Sequence, residues 1–310
     1  MSGLPVEFDR IARHFRPLAG PGSLGLTDDA AVFTPPPGRE LVVTADAMVE
    51  SVHFLPGTAP GLVARKLLRV NLSDLAAMGA MPLGYLVTLS VPRSFGDDWF
   101  AGFAAGLAQD QAAFGTALLG GDTTQTPGPL CVSLTAIGHV APGQAIRRSG
   151  AQAGDEVWVT GTIGDGVLGL EAARGNLADP DGYLAGRYNL PTPRLGLALH
   201  GWARACMDVS DGLFQDLGHI CRASGVGAVV EADLVPLSPQ AHAAGPAWRE
   251  AALVGGDDYE LLLAVPSGLA MPPGVAATRI GRFVAGAGVS VVDAAGAAMA
   301  FTRQGWSHFA

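Results

Sequence analysis

The chain has 310 residues, room for two domains as readily as one, and 28 Asp and Glu against 19 Lys and Arg give a net charge of −9. An acidic chain of this kind argues against a nucleic-acid or anionic-membrane surface as its main business. Charged residues are 15% and the set AVILMFWYC is 49%, against about 25% charged in average soluble domains, so a large core is affordable and disorder is excluded.

Stretches 75–92 and 123–146 are the most apolar-leaning or uncharged, but Gly, Pro, Thr and Gln interrupt them, so neither makes a continuous span of ~20 apolar residues. The opening MSGLPVEFDRIARHF carries charges where a signal peptide needs an apolar core. Cys131, Cys206 and Cys221 form an odd set without CxxC, which suits a reducing cytoplasm. Lys66 is the only lysine; the other eighteen cations are arginines.

In chain order, 6–15 has helical spacing, and 30–34 and 40–46 read as strands around a Pro-Pro-Pro-Gly turn. Segment 60–78 is a long helix whose apolar face is Leu62, Leu67, Leu68, Leu72 and Leu75. A strand at 83–91, a helix at 97–114 and strands at 117–119 and 130–140 follow. This α/β half predicts a ferredoxin-like sheet with helices on one face. The Gly-, Ala- and Pro-rich stretch 141–155 is the boundary candidate, dividing the chain into 1–140, a linker at 141–155, and 156–310. Beyond it come a strand at 156–160, helices near 165–173, 193–203 and 212–223, strands at 228–231 and 259–265, and short strands with Gly turns over the last forty residues. Two α/β domains are expected.

Because charge is scarce, the position of each acid is informative. Asp residues recur beside Gly, Ser or Thr at the expected strand ends: Thr27-Asp28-Asp29, Thr44-Ala45-Asp46, Gly120-Gly121-Asp122, Asp208-Val209-Ser210-Asp211-Gly212 and Gly255-Gly256-Asp257-Asp258. Asp74 lies within the long helix, one turn from Asn71. Ligands of open α/β sheets sit where strands end and helices begin. Converging carboxylates repel unless cations neutralise them, and an oxygen-only set selects a hard ion such as Mg²⁺. Each acid also has an ordinary role open to it. Ser210 or Asp211 could cap a helix, GGD could be a tight turn, and a buried Asp74 would need an Arg or a metal. No P-loop and no dinucleotide fingerprint is present, so a phosphate site would rely on metal ions plus arginine, with Arg147-Arg148 the natural pair.

These segments resemble the thiamine-monophosphate kinase family, within the ATP-binding superfamily of aminoimidazole ribonucleotide synthetase. The resemblance runs through Thr27-Asp-Asp-Ala-Ala-Val32, Val43-Thr-Ala-Asp-Ala-Met-Val-Glu-Ser-Val-His-Phe54, Val70-Asn-Leu-Ser-Asp-Leu-Ala-Ala-Met-Gly79, Gly120-Gly-Asp-Thr-Thr124, Arg148-Ser-Gly150, Asp208-Val-Ser-Asp-Gly-Leu213, Gly255-Gly-Asp-Asp-Tyr-Glu-Leu261 and Trp306-Ser-His-Phe309. It implies an N-terminal α/β domain that pairs across a homodimer into a barrel, and a C-terminal α/β domain. It further implies ATP-dependent phosphorylation of thiamine monophosphate to thiamine diphosphate, with several Mg²⁺ ions and no nucleic-acid or membrane partner.

By family position, Asp29, Thr44, Ala45, Asp46, Asp74, Asp122, Asp208 and Asp211 would hold magnesium, Ala45 through its main chain. Gly121, Asp122, Arg148 and Ser210 would contact ATP; His53, Asp257 and Trp306 would contact the thiamine phosphate. Asp46, Asp122 and Arg148 would act at the transferred phosphoryl group. The chain departs from the family in having Thr27 where Gly is usual, Ala45 where Thr or Ser is usual, and Asp257 in place of Glu. Sibling enzymes of the superfamily, or a nucleotide-binding module without catalysis, are the alternatives. Two siblings need a reactive Cys near a terminus, which MSGLPVEF and WSHFA lack.

Overall fold

The computed structural model describes residues 6–301 and 305–306. Ser307 to Phe309 of the last motif lie outside the described residues. The chain divides into two compact units, one of residues 1–75 and 80–143 and the other of residues 76–79 and 144–310.

In the first unit, helix α1 (Val6–Arg10) precedes strand β1 (Glu40–Val49), helix α2 (Pro60–Ala77), strand β2 (Met81–Pro92), helix α3 (Asp97–Phe114), and strands β3 (Leu118–Thr126) and β4 (Cys131–Val140). The four strands pair in the order β1-β4-β2-β3, with β4 antiparallel to both neighbours and β2 parallel to β3. β4 therefore lies between the two strands that α2 connects, the split β-α-β of a ferredoxin-like sheet. β4 alternates strictly: Val132, Leu134, Ala136 and Val140 are buried and the residues between are half-buried. On β1, Val42 and Met48 point into the core, while Leu41, Val43, Ala45 and Ala47 point away from it and are exposed.

Three expectations change here. Residues 30–34 form no strand, since the three prolines that follow remove ladder donors and only Val32 N–H finds a backbone acceptor, Gly22 O. The first helix is regular only over Val6–Arg10 and continues as a wider π turn over Ile11–Phe15. The third strand is much longer than 117–119, so Gly120-Gly121-Asp122 is strand rather than turn.

α2 and α3 are joined by a buried ionic triad. Arg65 and Arg69, one turn apart, both donate to Asp110, which is fully buried: Arg65 Nε to Oδ1 at 3.0 Å, Arg69 Nε to Oδ2 at 2.6 Å.

The second unit contains β5 (Glu156–Thr160), α4 (Asp165–Ala173), α5 (Tyr183–Asn189), β6 (Ala205–Asp208), α6 (Leu213–Ser224), β7 (Gly227–Glu231), α7 (Pro239–Ala243), α8 (Arg249–Val254), β8 (Leu261–Val265), β9 (Ala277–Val284), β10 (Gly288–Val292) and β11 (Ala298–Met299). Its seven-stranded sheet runs β11-β10-β7-β9-β5-β8-β6. β8 is apolar and buried throughout because both faces are covered. Leu262 and Ala264 pack with Leu213, Phe214, Leu217 and Ile220 of α6, whereas Leu261, Leu263 and Val265 pack with Leu199 and Trp202. No helix forms at 193–203; Pro191 and Pro193 break the backbone there, and the helix is α5, earlier in the chain.

Replacing Asp110 with Ala would strand two partly buried guanidinium groups. The expected outcome is a loss of about 3 kcal/mol or more, read as a lowered urea midpoint, whereas an unchanged midpoint would mean that the triad is surface-like in its energetics.

Candidate functional site

Helix α2 carries a row of polar residues, Lys66, Asn71 and Asp74, spaced so that one face of the helix runs along β1 and its following loop. The Thr44 hydroxyl donates to Asp74 Oδ2 at 2.6 Å. Asn71, fully buried, accepts the Asp46 N–H at 3.1 Å through Oδ1 and donates to Leu67 O through Nδ2. Lys66, 2% exposed, donates from Nζ to His53 O at 3.1 Å. The loop held in this way is tight. Ser51 has a positive φ of 70°, Val52 and His53 N–H both donate to Val49 O, and Val49 N–H donates to His53 Nδ1 at 3.0 Å. A neutral imidazole accepting at Nδ1 keeps its proton on Nε2, where it can donate to an anion.

Asp46 and Asp74 are thereby set beside one another. Burial first, and the Asp74 charge second, push the Asp46 carboxyl up to about 6. Two carboxylates, a hydroxyl and strand carbonyls, with negative charge in need of a counter-ion, suit a hard divalent cation.

Asp122 lies elsewhere. It sits on β3, opposite Thr88 of β2, while Asp46 sits on β1, opposite Leu134 of β4. The two strands are the two edges of the sheet, about 14 Å apart at ~4.8 Å per strand spacing. Among the described residues no three His, Cys, Asp or Glu side chains stand together closely enough to hold an ion. Asp29 is exposed in the loop before β1.

Gly121 is required for contact rather than for flexibility, because a Cβ there would fall 1.8 Å from Val87 O of β2. Beyond Asp122, β3 borders a cavity of about 380 Å³ lined by Arg10, Val91, Phe95, Phe100, Thr123 and Gln125.

In the second unit, β6 ends at buried Asp208, and the loop 209–212 leads into α6. The residue preceding this helix is Gly212, and neither Ser210 nor Asp211 caps it. The capping is reversed: Asp216, within the first turns of α6 and 1% exposed, accepts the N–H groups of Ser210, Asp211 and Gly212 at one oxygen, each at 3.0 Å. Burial, then the Asp211 charge, push its carboxyl up to about 7 against the lowering effect of those three bonds.

The segment 255–260 packs against this loop, with Asp257 N–H donating to Ser210 O and Tyr259 N–H to Val209 O. Asp257 holds a positive φ of 67°, a conformation that Asp tolerates, and its carboxylate accepts from the Tyr259 hydroxyl at 3.1 Å. Its neighbours in the motif are structural. Asp258 is buried and accepts Gly164 and Gly166 N–H at the start of α4, and Glu260 is buried among Arg187, Arg194 and Thr160. Arg148 is exposed, and with Arg222 it helps burial hold the His219 imidazole below its usual range, which places its charge beside α6. Trp306 joins the loop by its backbone, N–H to Asp211 O at 2.9 Å, with its indole 52% exposed.

The supporting residues Lys66, Asn71, Asp216 and Glu260 were not singled out by sequence reasoning as parts of the site. The signal for them was an isolated polar residue inside an otherwise apolar helix or strand, as at Lys66 among Val63, Ala64, Leu67 and Leu68.

Residues 27–140 match the family described as AIR synthase related protein, N-terminal domain, and residues 152–294 match its C-terminal domain. The thiamine-monophosphate kinase of Caulobacter vibrioides is 46% identical over 98% of this chain and 91% of its own. The chain belongs to the thiamine-monophosphate kinase family. It is, with that family, a kinase. The crystal structure of the Stenotrophomonas maltophilia enzyme is 43% identical, with a TM-score of 0.79 over 86% of this chain and 89% of that one. The structure of AaThiL complexed with AMPPCP and TMP is 31% identical, with a TM-score of 0.81 over 91% of each chain.

Lys66→Met deletes a buried charge-assisted donor to His53 O. The amides of Val52 and His53 are expected to exchange with solvent about tenfold faster, as measured by hydrogen–deuterium exchange. Unchanged protection would show that the loop holds itself.

Proposed function

We propose that this chain transfers the γ-phosphoryl group of ATP to thiamine monophosphate, giving thiamine diphosphate and ADP in the cytoplasm. The observation that carries the proposal is the Asp46–Asp74 pair held against β1 beside the His53 loop. The full-length likeness to the Caulobacter kinase and to a relative solved with AMPPCP and TMP supports it.

A phosphate-monoester oxygen attacks the γ-phosphorus in line while the bond to the β-phosphate oxygen breaks and ADP departs. The nucleophile is already an anion, so positioning and charge neutralisation dominate and no base is needed. Magnesium ions, when bound, would neutralise phosphate charge in this acidic site. Asp29, Thr44, the Ala45 main chain, Asp46, Asp74, Asp122, Asp208 and Asp211 would hold them. Gly121, Ser210 and Arg148 orient the triphosphate, and the cavity past Asp122 receives the nucleoside. His53 donates to the acceptor phosphate, Asp257 approaches the thiamine moiety, and the Trp306 indole stacks on one of its cationic or aromatic rings. A chromatographic assay should show diphosphate and ADP formed together only when ATP, Mg²⁺ and thiamine monophosphate are all present. ATP binding without substrate-stimulated ADP would favour the non-catalytic module.

The same proposal includes a homodimer. The open face of the first sheet exposes Leu41, Val43, Met81 and Leu86, with Val43 at 60%, and among the described residues β1 and β3 pair with no further strand at their outer edges, apart from a single bridge between Ala19 and Leu118 at the start of β3. Closing two such sheets into a barrel buries this face and brings β3 of one copy beside β1 of the other. Asp122 then completes the Asp46–Asp74 site of the partner subunit. Asp46→Asn and Asp122→Asn should each be inactive alone, yet equimolar mixing with subunit exchange should restore about a quarter of wild-type activity, since half the dimers carry one intact site. If Asp46 and Asp122 served one site within a single chain, no activity would return.

A further inference from the structure

Two backbone hydrogen bonds attach Trp306 to its unit, and a third bond braces the side chain that makes one of them. Its N–H donates to Asp211 O at 2.9 Å. Its carbonyl accepts from Gln215 Nε2 at 2.6 Å, and the same amide nitrogen donates to Asp211 Oδ2 at 3.1 Å. One side chain on the first turn of α6 thus bridges a backbone carbonyl near the end of the chain and the carboxylate of a proposed metal ligand. A terminal amide has two N–H groups, so both bonds are available at once.

The closeness of the approach is built into the sequence. At Gly305 a Cβ would fall 2.5 Å from Gln215 Oε1, 2.6 Å from Gln215 Cβ and 2.9 Å from Asp211 O, so a larger residue would lift the segment off the helix. The support itself is firm, because Asp216 fixes the backbone of residues 210–212 from beneath.

We infer that Gln215 is a positioning residue for the thiamine phosphate: it ties the backbone of Trp306 to Asp211 and so presents the exposed indole to the substrate ring. This rests on the proposed contact between Trp306 and the thiamine moiety, and it adds a residue outside every ligand set given above. Gln215 is half-buried, and in its absence both acceptors can return to water. The consequence falls on substrate affinity rather than on folding, since an untethered indole must be ordered anew at each binding event.

The test uses the full chain and compares Gln215→Met, Gly305→Ala, Trp306→Ala and Trp306→Phe with wild type. KM values for thiamine monophosphate and ATP are measured, together with acrylamide quenching of the fluorescence component that Trp306→Phe removes. Gln215→Met and Gly305→Ala are each expected to raise the KM for thiamine monophosphate about five- to tenfold, with the KM for ATP within about twofold, and to increase quenching of Trp306. Unchanged quenching and an unchanged KM in Gln215→Met would overturn the tie. If Trp306→Ala left the KM for thiamine monophosphate unchanged, the substrate role of the indole would fall and the proposal with it. Quenching would still report separately whether Gln215 holds the segment.

Discussion

The cost of placing two carboxylates side by side in a partly buried setting organises the first unit. Burial first, and the neighbouring Asp74 charge second, push the Asp46 carboxyl up to about 6. The arrangement persists because α2 holds β1 from three positions, with Lys66, Asn71 and Asp74 each bonded to a different point on the strand or its loop. A site of this kind stores a demand for positive charge.

The second unit uses a different device for the same end. The loop 208–212 gathers its amide groups on one oxygen of Asp216, and the 255–260 segment joins it edge to edge by backbone bonds. Acids that look alike in the sequence thus divide into two kinds. Asp216, Asp258 and Glu260 are buried and bonded to backbone amides or arginines, so they are spent on shape. Asp211 and Asp257 remain partly open and hold their positions through those neighbours.

Much of this was legible beforehand. The two-sheet α/β architecture follows from hydrophobic period and turn chemistry, which act locally, and α2, α3 and β8 stand close to where their apolar patterns put them. Local signals also misled. Residues 30–34 have strand-like composition but are followed by Pro35, Pro36 and Pro37, and GGD has turn composition yet lies within β3, because pairing with β2 overrides local preference.

The residue types of the site and their family were determined by the sequence alone, since the spacing of Asp, Gly, Ser and Thr survives as a linear pattern. Which of those residues meet was decided only by tertiary structure. Strand order is a non-local property, and it places Thr44 against Asp74, thirty positions on along the chain, with Asp46 beside them, while sending Asp122 to the opposite edge of the sheet. The supports Lys66, Asn71, Asp216 and Gln215 were hidden for the same reason: a hydrogen bond between a helix and a distant strand or tail has no local period to reveal it.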